Sequence, residues 1–270
     1  MTEELKLLFV LAHPDDETLG NGGTIARYAD EGIEVHLVTA TGGEEGWFGA
    51  PDENPGPEKL ARIREKELRG AAEVLGVSDV SLLGYHDGEL AKASTPEVVG
   101  KIVSHIRRVR PQVVVTFDQN GLYGHPDHIA ITQFTTAAVA AAGNPDYTDP
   151  EGRGAHQVSK LYYMAWTRDD VDAYEEAFGE LVMQIDGHKR GAVPWPEWSI
   201  TTRIETKDRW RRVWEAVQQH RSQLPLYERL LALPEAKHVA MWGRNLYYRA
   251  FSSVDCGDDA VETDLFAGLR

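Results

Sequence analysis

The run Leu7-Leu8-Phe9-Val10-Leu11-Ala12-His13-Pro14-Asp15-Asp16-Glu17 constrains this chain most, because an apolar strand ends in a histidine and three acids. A continuous apolar run bounded by proline reads as a strand covered on both faces, as in a parallel sheet. Ligands bind open α/β sheets at the carboxyl ends of their strands, so His13 stands where a site forms. Neutral imidazole and carboxylate are zinc donors, and a catalytic zinc keeps three protein ligands and a water. His13 and Asp16 supply two. A second apolar strand, Val113 to Asp118, leads into Gly121-Leu122-Tyr123-Gly124-His125-Pro126-Asp127-His128, which holds the candidates for the third. A lone His-x-x-Asp is more often a turn or helix cap than a ligand pair; two such fragments, each after a buried strand, reverse that and favour a shared ion.

The rest of the first half alternates strand and helix. Thr18 to Asp30 reads as a helix stopped by Gly32, and Ile33 to Ala40 as a strand, which completes a βαβ unit. Thr41 to Pro57 is a long Gly- and Pro-rich loop carrying Trp47 and Phe48, a candidate substrate lid. Lys59 to Leu75 is helical, Val80 to Leu83 is a short strand, and Pro96 to Arg108 is a helix with Thr95 as N-cap. Ile129 to Ala142 is an Ala-rich helix. Beyond it the alternation weakens. Asn144 to His156 reads as a polar surface insertion, Leu161 to Trp166 as a strand and Asp169 to Val182 as a helix. Asp186 to Trp198 reads as an irregular segment whose aromatics close a core edge. Ser199 to Glu205 reads as a strand, Asp208 to Ser222 as a helix and Glu235 to Phe251 as a mixed, aromatic-rich tail. The expectation is an α/β chain with a mostly parallel sheet flanked by helices. Residues 1–270 form one domain, with the metal site in 1–143 and a variable C-terminal part in 144–270.

Charge narrows the partners. Lys and Arg number 28 against 43 Asp and Glu, a net charge of −15, which weighs against nucleic acid or an anionic membrane surface and for a small-molecule substrate. Cys256 is the only cysteine, so an intrachain disulfide and a thiolate-rich metal site are excluded; it reads as a spectator thiol. The N-terminal run Met1-Thr2-Glu3-Glu4 is acidic and no apolar stretch approaches ~18 residues. Neither signal peptide nor membrane span is expected, and the cytosol is the default compartment. Gly20-Asn21-Gly22-Gly23 follows a strand as a dinucleotide fingerprint does, but the third glycine position holds Ile25. Close packing of helix on strand explains these glycines better.

Taken together, Ala12-His13-Pro14-Asp15-Asp16-Glu17, Gly20 to Gly23, Leu83-Gly84-Tyr85-His86-Asp87-Gly88-Glu89-Leu90 and Gly124-His125-Pro126-Asp127-His128 resemble the LmbE/PIG-L superfamily of zinc-dependent N-deacetylases. The order and spacing match over about the first 140 residues, and His220-Arg221-Ser222-Gln223 with Trp242-Gly243-Arg244 resembles later segments of the family. The resemblance implies a Rossmann-like fold and an enzyme holding one zinc ion per chain. It implies removal of an acyl group, usually acetyl, from the nitrogen of an N-acetylglucosamine-type amino sugar or its conjugate.

Carried onto this chain, the resemblance makes His13, Asp16 and His128 the zinc ligands and leaves Asp15 as general base. That division is chemically sound: zinc acidifies water to near neutral pH, and a carboxylate off the metal can take the proton while the oxygen attacks the amide. The resemblance also implies that His125, charged and oriented by Asp127, stabilises the oxyanion or protonates the leaving amine. Tyr123 then donates to the carbonyl oxygen. Asp15 and His125 both remain open as the amine's proton donor. Arg64 and Asp87 match substrate-contacting positions, since a guanidinium fork and a carboxylate suit sugar hydroxyls. On the residues alone, Arg64 in its charged helix also fits a solvated face, and Asp87 beside Gly88 a turn. His86, Glu44, Glu45 and Trp47 fall in rim loops without an assigned role.

Three alternatives stand beside this reading. An amidase cleaving a larger sugar–thiol conjugate shares the same first 140 residues. A non-catalytic zinc- or sugar-binding module has no need of the unliganded Asp15, and a nucleotide-binding oxidoreductase is disfavoured by the broken glycine pattern. Specificity is expected from Gly43 to Pro57 and Asn144 to Trp198. Oligomeric state is left open, a homo-oligomer being compatible with the sequence.

Overall fold

The computed structural model describes residues 4–185, 187–255 and 261–270; Met1 to Glu3 and Cys256 lie outside the described residues. The first half alternates as expected: β1 (Lys6–Leu11), α1 (Asp16–Asp30), β2 (Glu34–Thr41), α2 (Pro57–Leu75), β3 (Asp79–Tyr85), α3 (Thr95–Val109) and β4 (Val113–Thr116). A distorted turn, α4 (Gly121–Gly124), and then α5 (Pro126–Gly143) follow. The second half adds β5 (Lys160–Met164), α6 (Arg168–Phe178), the hairpin β6 (Val182–Ile185) and β7 (His188–Gly191), β8 (Thr202–Glu205), α7 (Trp210–Val217), α8 (Leu224–Ala232), α9 (Glu235–Trp242) and β9 (Arg244–Ser252).

Seven strands form one sheet in the order β3-β2-β1-β4-β5-β9-β8, parallel from β3 through β5 and antiparallel at β9 and β8. The chain order reverses between β1 and β4. In a sheet wound this way, the crevice beyond the carboxyl ends of those two strands is where ligands bind. β1 is central and covered by helices on both sides, so Leu7 to Leu11 are fully buried. Each such side chain contributes roughly 1.5–3 kcal/mol relative to exposure. The glycines of α1 pack as expected from close approach: a Cβ at Gly20 would stand 2.2 Å from Met164 Cε, and one at Gly23 2.6 Å from Thr206 Cβ.

The expected boundaries shift where local chemistry decides them. Ser94, with extended backbone, precedes the first residue of α3, so Thr95 is helical rather than the N-cap. The helix expected over Asp169 to Val182 stops at Phe178, because Gly179 turns at φ 86 and Val182 opens β6. Part of the segment read as irregular is therefore a hairpin; Asp186 lies outside the described residues. The strand expected from Ser199 begins only at Thr202. The helix expected over Asp208 to Ser222 breaks after Val217, since His220 takes a non-helical backbone and turns its ring inward. The tail from Glu235 resolves into α9 and β9, the latter inserted between β5 and β8. Helices α6 to α9 share a second core of Tyr174, Trp210, Val213, Tyr227, Leu230 and Trp242, which reaches α1 through Leu19.

Candidate active site

The ends of β1 and β4 meet at one cluster of nitrogen and oxygen atoms. Asp15, at φ 105, turns the chain from β1 into α1, in a region of backbone space that Asp tolerates better than most residues. Asp16 opens the helix and accepts, through Oδ2, the amides of His13 and Ala12 at 2.7 and 3.2 Å. From β4, the chain passes through α4 to His128 in the first turn of α5, where the imidazole stacks on Phe117 with centroids 3.9 Å apart. His13 Nδ1 lies 3.2 Å from His128 Nε2 and 3.6 Å from Asp16 Oδ2, and His128 Nε2 lies 3.4 Å from Asp16 Oδ1. A ring nitrogen of His125 comes within 4.8 Å of those of His13 and His128.

The far side of His13 is held by two acids. Its Nε2 lies 3.0 Å from Asp87 Oδ1 and 3.3 Å from Asp127 Oδ2. Asp127 is itself fixed by the amides of Gly88 and Leu90 at 2.8 and 3.2 Å, and Asp87 Oδ2 by the amide of Glu45 at 3.2 Å. Burial opposes a charge on His13, yet hydrogen bonds to Asp127 and Asp87 and the nearby Asp16 raise its pKa to about 10. Burial likewise resists ionisation of Asp87, but the His13 contact holds it at about 2. The pocket favours positive charge at the imidazole, whether carried by a proton or by a bound cation.

Asp15 belongs to a separate set of contacts. Its Oδ2 accepts from Tyr227 Oη at 2.8 Å and from Arg64 Nη2 at 3.1 Å. Burial raises its pKa, while Arg64, His220 and Tyr227 pull the other way. Arg64 is buried and also donates to the carbonyls of Gly43 at 2.7 Å and Pro14 at 2.5 Å. The loop after β2 closes directly over it: a Cβ at Gly43 or Gly46 would lie 2.4 or 2.5 Å from the guanidinium. Two residues further on, Glu17 accepts the Asp15 amide at 2.9 Å and, on its other oxygen, meets His220 Nε2 at 2.7 Å.

Tyr123 lies edge-on to His125 and His128, with centroids 6.2 and 5.3 Å away. Burial and the neighbouring carboxylates of Asp16, Asp15 and Asp87 push its hydroxyl pKa well up, so it is a donor at neutral pH. His125 differs from the expectation. The Asp127 carboxylate faces His13, and it is the Asp127 amide that donates to His125 Nδ1 at 3.2 Å. Burial, then His13 and His128, lower the pKa of His125 to about 3. A neutral ring with Nδ1 accepting carries its proton on Nε2, and the Asp127 contact that orients it is made by the backbone amide.

The family described as PIG-L: GlcNAc-PI de-N-acetylase matches residues 8–139. The 1D-myo-inositol 2-acetamido-2-deoxy-alpha-D-glucopyranoside deacetylase of Geodermatophilus obscurus is 35% identical over 100% of this chain and 99% of its own length. This chain belongs to the PIG-L family. The mycothiol S-conjugate amidase of Streptomyces coelicolor is 32% identical, again over 100% of this chain and 99% of its own. The N,N'-diacetylchitobiose deacetylase of Pyrococcus horikoshii shares the fold, with a TM-score of 0.67 and 24% identity over 90% of this chain and 83% of that one. These relatives hydrolyse C–N amide bonds, and this PIG-L protein is a hydrolase of that class.

The donor set of this PIG-L site fits a metal ion: two imidazole nitrogens and a carboxylate converge, backed by buried acids that favour a cation. Of the residues expected to touch substrate, Arg64 is engaged with Asp15 and two carbonyls, and Asp87 with His13 and the Glu45 amide. Glu17 stands in the motif read from the sequence but carries no role there, and Tyr227 is not singled out by sequence. Tyr227 stands in the apolar stretch Leu224-Pro225-Leu226-Tyr227, where a core role is the ordinary reading; His220 at least lay in a segment resembling the family. The aromatics of the 186–198 segment divide: Trp195 stacks on Tyr248 at 4.9 Å and closes the sheet edge, whereas Trp198 is 87% exposed.

Proposed function

We propose that this chain is a zinc-dependent N-deacetylase that frees the amine of an N-acetylglucosamine joined to a second hydroxyl-rich group, inositol being the first to test. His13 Nδ1, Asp16 and His128 Nε2 are the proposed ligands of one ion per chain. The observation that carries the reading is the meeting of those three donors within 3.2–3.6 Å, beside an Asp15 carboxylate held by other partners. Bound zinc supplies an acidified water and polarises the amide carbonyl.

Asp15 takes the proton of the attacking water. Arg64 and Tyr227 fix its carboxylate, and the free lone pairs of Oδ1 serve as the base. Tyr123 donates to the carbonyl oxygen as charge develops there. His125 Nε2–H is the second donor, to the same oxygen or to the departing amine. Asp87 and Asp127 orient His13, and Arg64 acts on substrate through Asp15. The loop of residues 43–57, with Phe48 46% exposed, forms the rim that meets the aglycone.

A second reading, hydrolysis of a sugar–thiol conjugate, is favoured by the full-length match to the amidase. One panel separates the two. The zinc-loaded protein is incubated with the N-acetylglucosamine–inositol conjugate, N,N'-diacetylchitobiose and a mycothiol S-conjugate, and free amine is assayed. Highest kcat/KM on an acetylated amino sugar is expected. Turnover of the thiol conjugate alone would replace the deacetylase with the amidase.

A further inference from the structure

The loop carrying Tyr123 is held from the far half of the chain. Leu122 stands at φ 60, ψ −74, the rare and strained form of the γ-turn, and such backbone persists only where its surroundings over-determine it. Both of its polar groups are fixed. The Leu122 amide donates to Asp118 Oδ1 at 2.8 Å, and its carbonyl accepts from the Val193 amide at 3.4 Å. The other oxygen of Asp118 accepts the indole Nε1–H of Trp195 at 2.8 Å. Trp195 is anchored in turn by its stack on Tyr248 and by its amide, which donates to Trp166 O at 2.7 Å. At the end of the loop Gly124 rests on β7, where a Cβ would lie 2.7 Å from Arg190 Cβ.

A residue that only closed the sheet edge against Ile200 and Leu246 could be any large apolar side chain. The indole N–H of Trp195 is instead aimed at a carboxylate that is 1% exposed, and without it one Asp118 oxygen loses its strongest neutral donor. We propose that Trp195 is a positioning residue for Tyr123, acting through Asp118 and the strained Leu122. The proposal rests on the reading that Tyr123 donates to the amide carbonyl. It gives the C-terminal part of the chain a share in turnover, separate from substrate choice.

The test is a double-mutant cycle on the zinc-loaded enzyme with an N-acetylglucosamine conjugate. Trp195→Phe keeps the stack on Tyr248 and removes the donor. It should lower kcat about tenfold, the size of one hydrogen bond to a charged acceptor, with KM and bound zinc within about twofold of the parent. Tyr123→Phe should lower kcat about 100-fold, as for loss of one oxyanion donor. With Tyr123 already replaced, adding Trp195→Phe should cost less than about twofold. Exchange of the 118–124 amides should quicken in Trp195→Phe while β1 amides keep their protection. Should that variant fold poorly, Asp118→Asn, which leaves one acceptor for two donors, supplies the same comparison. Parental kcat in Trp195→Phe, unchanged 118–124 exchange, or an undiminished loss in the Tyr123→Phe background would overturn the proposal. Normal turnover by Tyr123→Phe removes the Tyr123 reading and this proposal together, an outcome distinct from an inert Trp195→Phe beside a damaged Tyr123→Phe.

Discussion

His13, Asp15, Asp16, Tyr123, His125, Asp127 and His128 all come from the stretch before residue 139, whereas Trp195, His220 and Tyr227 arrive from beyond residue 144. The later three share a pattern: each meets an acid that lies in the first stretch of the chain, Trp195 at Asp118, His220 at Glu17 and Tyr227 at Asp15. The first region therefore brings the groups with reactive lone pairs, and the second brings N–H and O–H groups that hold the acids behind and beside them. Buried carboxylates need such partners, and the C-terminal half supplies them. If that division is right, substitutions in the first region should strike chemistry and metal, and those in the second should strike position and stability.

The largest effect is expected at the point where both strand ends converge. His13→Ala and His128→Ala should each lose the single bound zinc and lower amide hydrolysis by about 10³-fold or more, since the metal accounts for several kcal/mol of transition-state stabilisation. Elemental analysis of the purified variants checks it. Full zinc retention in both would take the ligand role away from the strand ends.

Asp15→Asn comes next and divides the two adjacent acids. It keeps the size of the side chain, the Arg64 and Tyr227 neighbours and the ligand cluster, and it removes the proton acceptor. Zinc content should stay at the parental level while kcat falls at least ~100-fold. If turnover were near normal, the base would have to be sought elsewhere, with His125 the nearest candidate.

The same contrast explains what the sequence disclosed. Strand β1 and the His13 to Glu17 turn were legible because a fully buried strand writes a continuous apolar run, and because donors suited to zinc stood at its end. The second converging segment, His125 to His128, was legible for the same reason. The roles of Asp87 and Asp127 were only half legible: their residue types were marked, but their direction depends on how the loop after β3 folds back on His13, which no local pattern encodes. Tyr227 and Trp195 sit among apolar neighbours and act through one polar atom each. A sequence shows such a residue as core, and only the packing of α8 and of the 192–198 segment reveals where its hydroxyl or indole N–H is aimed.

Asp87 tests whether an acid of the first region serves the imidazole or the sugar. With its carboxylate on His13 Nε2, Asp87→Ala should reduce zinc affinity or turnover roughly 10–100-fold, the usual effect of removing a group that orients a metal-bound histidine. The loss should be equal on an N-acetyl amino sugar and on a small acyl amide without hydroxyls. A loss confined to the sugar would return Asp87 to direct hydroxyl binding.

The smallest expected effect lies in the second region, and its signature is a pH dependence of stability. His220 and Glu17 are both fully buried and 2.7 Å apart. Burial alone would lower the pKa of His220, but Glu17, and then Asp15, raise it above the usual 6.5. A histidine whose pKa is raised on folding binds its proton more tightly in the native state, so its stabilisation is fully present below about pH 6.5 and fades as pH climbs through the raised value. His220→Gln keeps a donor for Glu17 and loses the charge. Relative to the parent it should melt several degrees lower near pH 6, on the order of 1–3 kcal/mol at roughly 2–4 °C per kcal/mol. With zinc saturating in both proteins, the gap should narrow as pH is raised. Because His220 touches no proposed ligand, bound zinc at neutral pH should be unchanged. A melting gap constant across the pH range would mean that His220 is held as a neutral ring, and that the second region grips Glu17 by shape and hydrogen bonding rather than by charge.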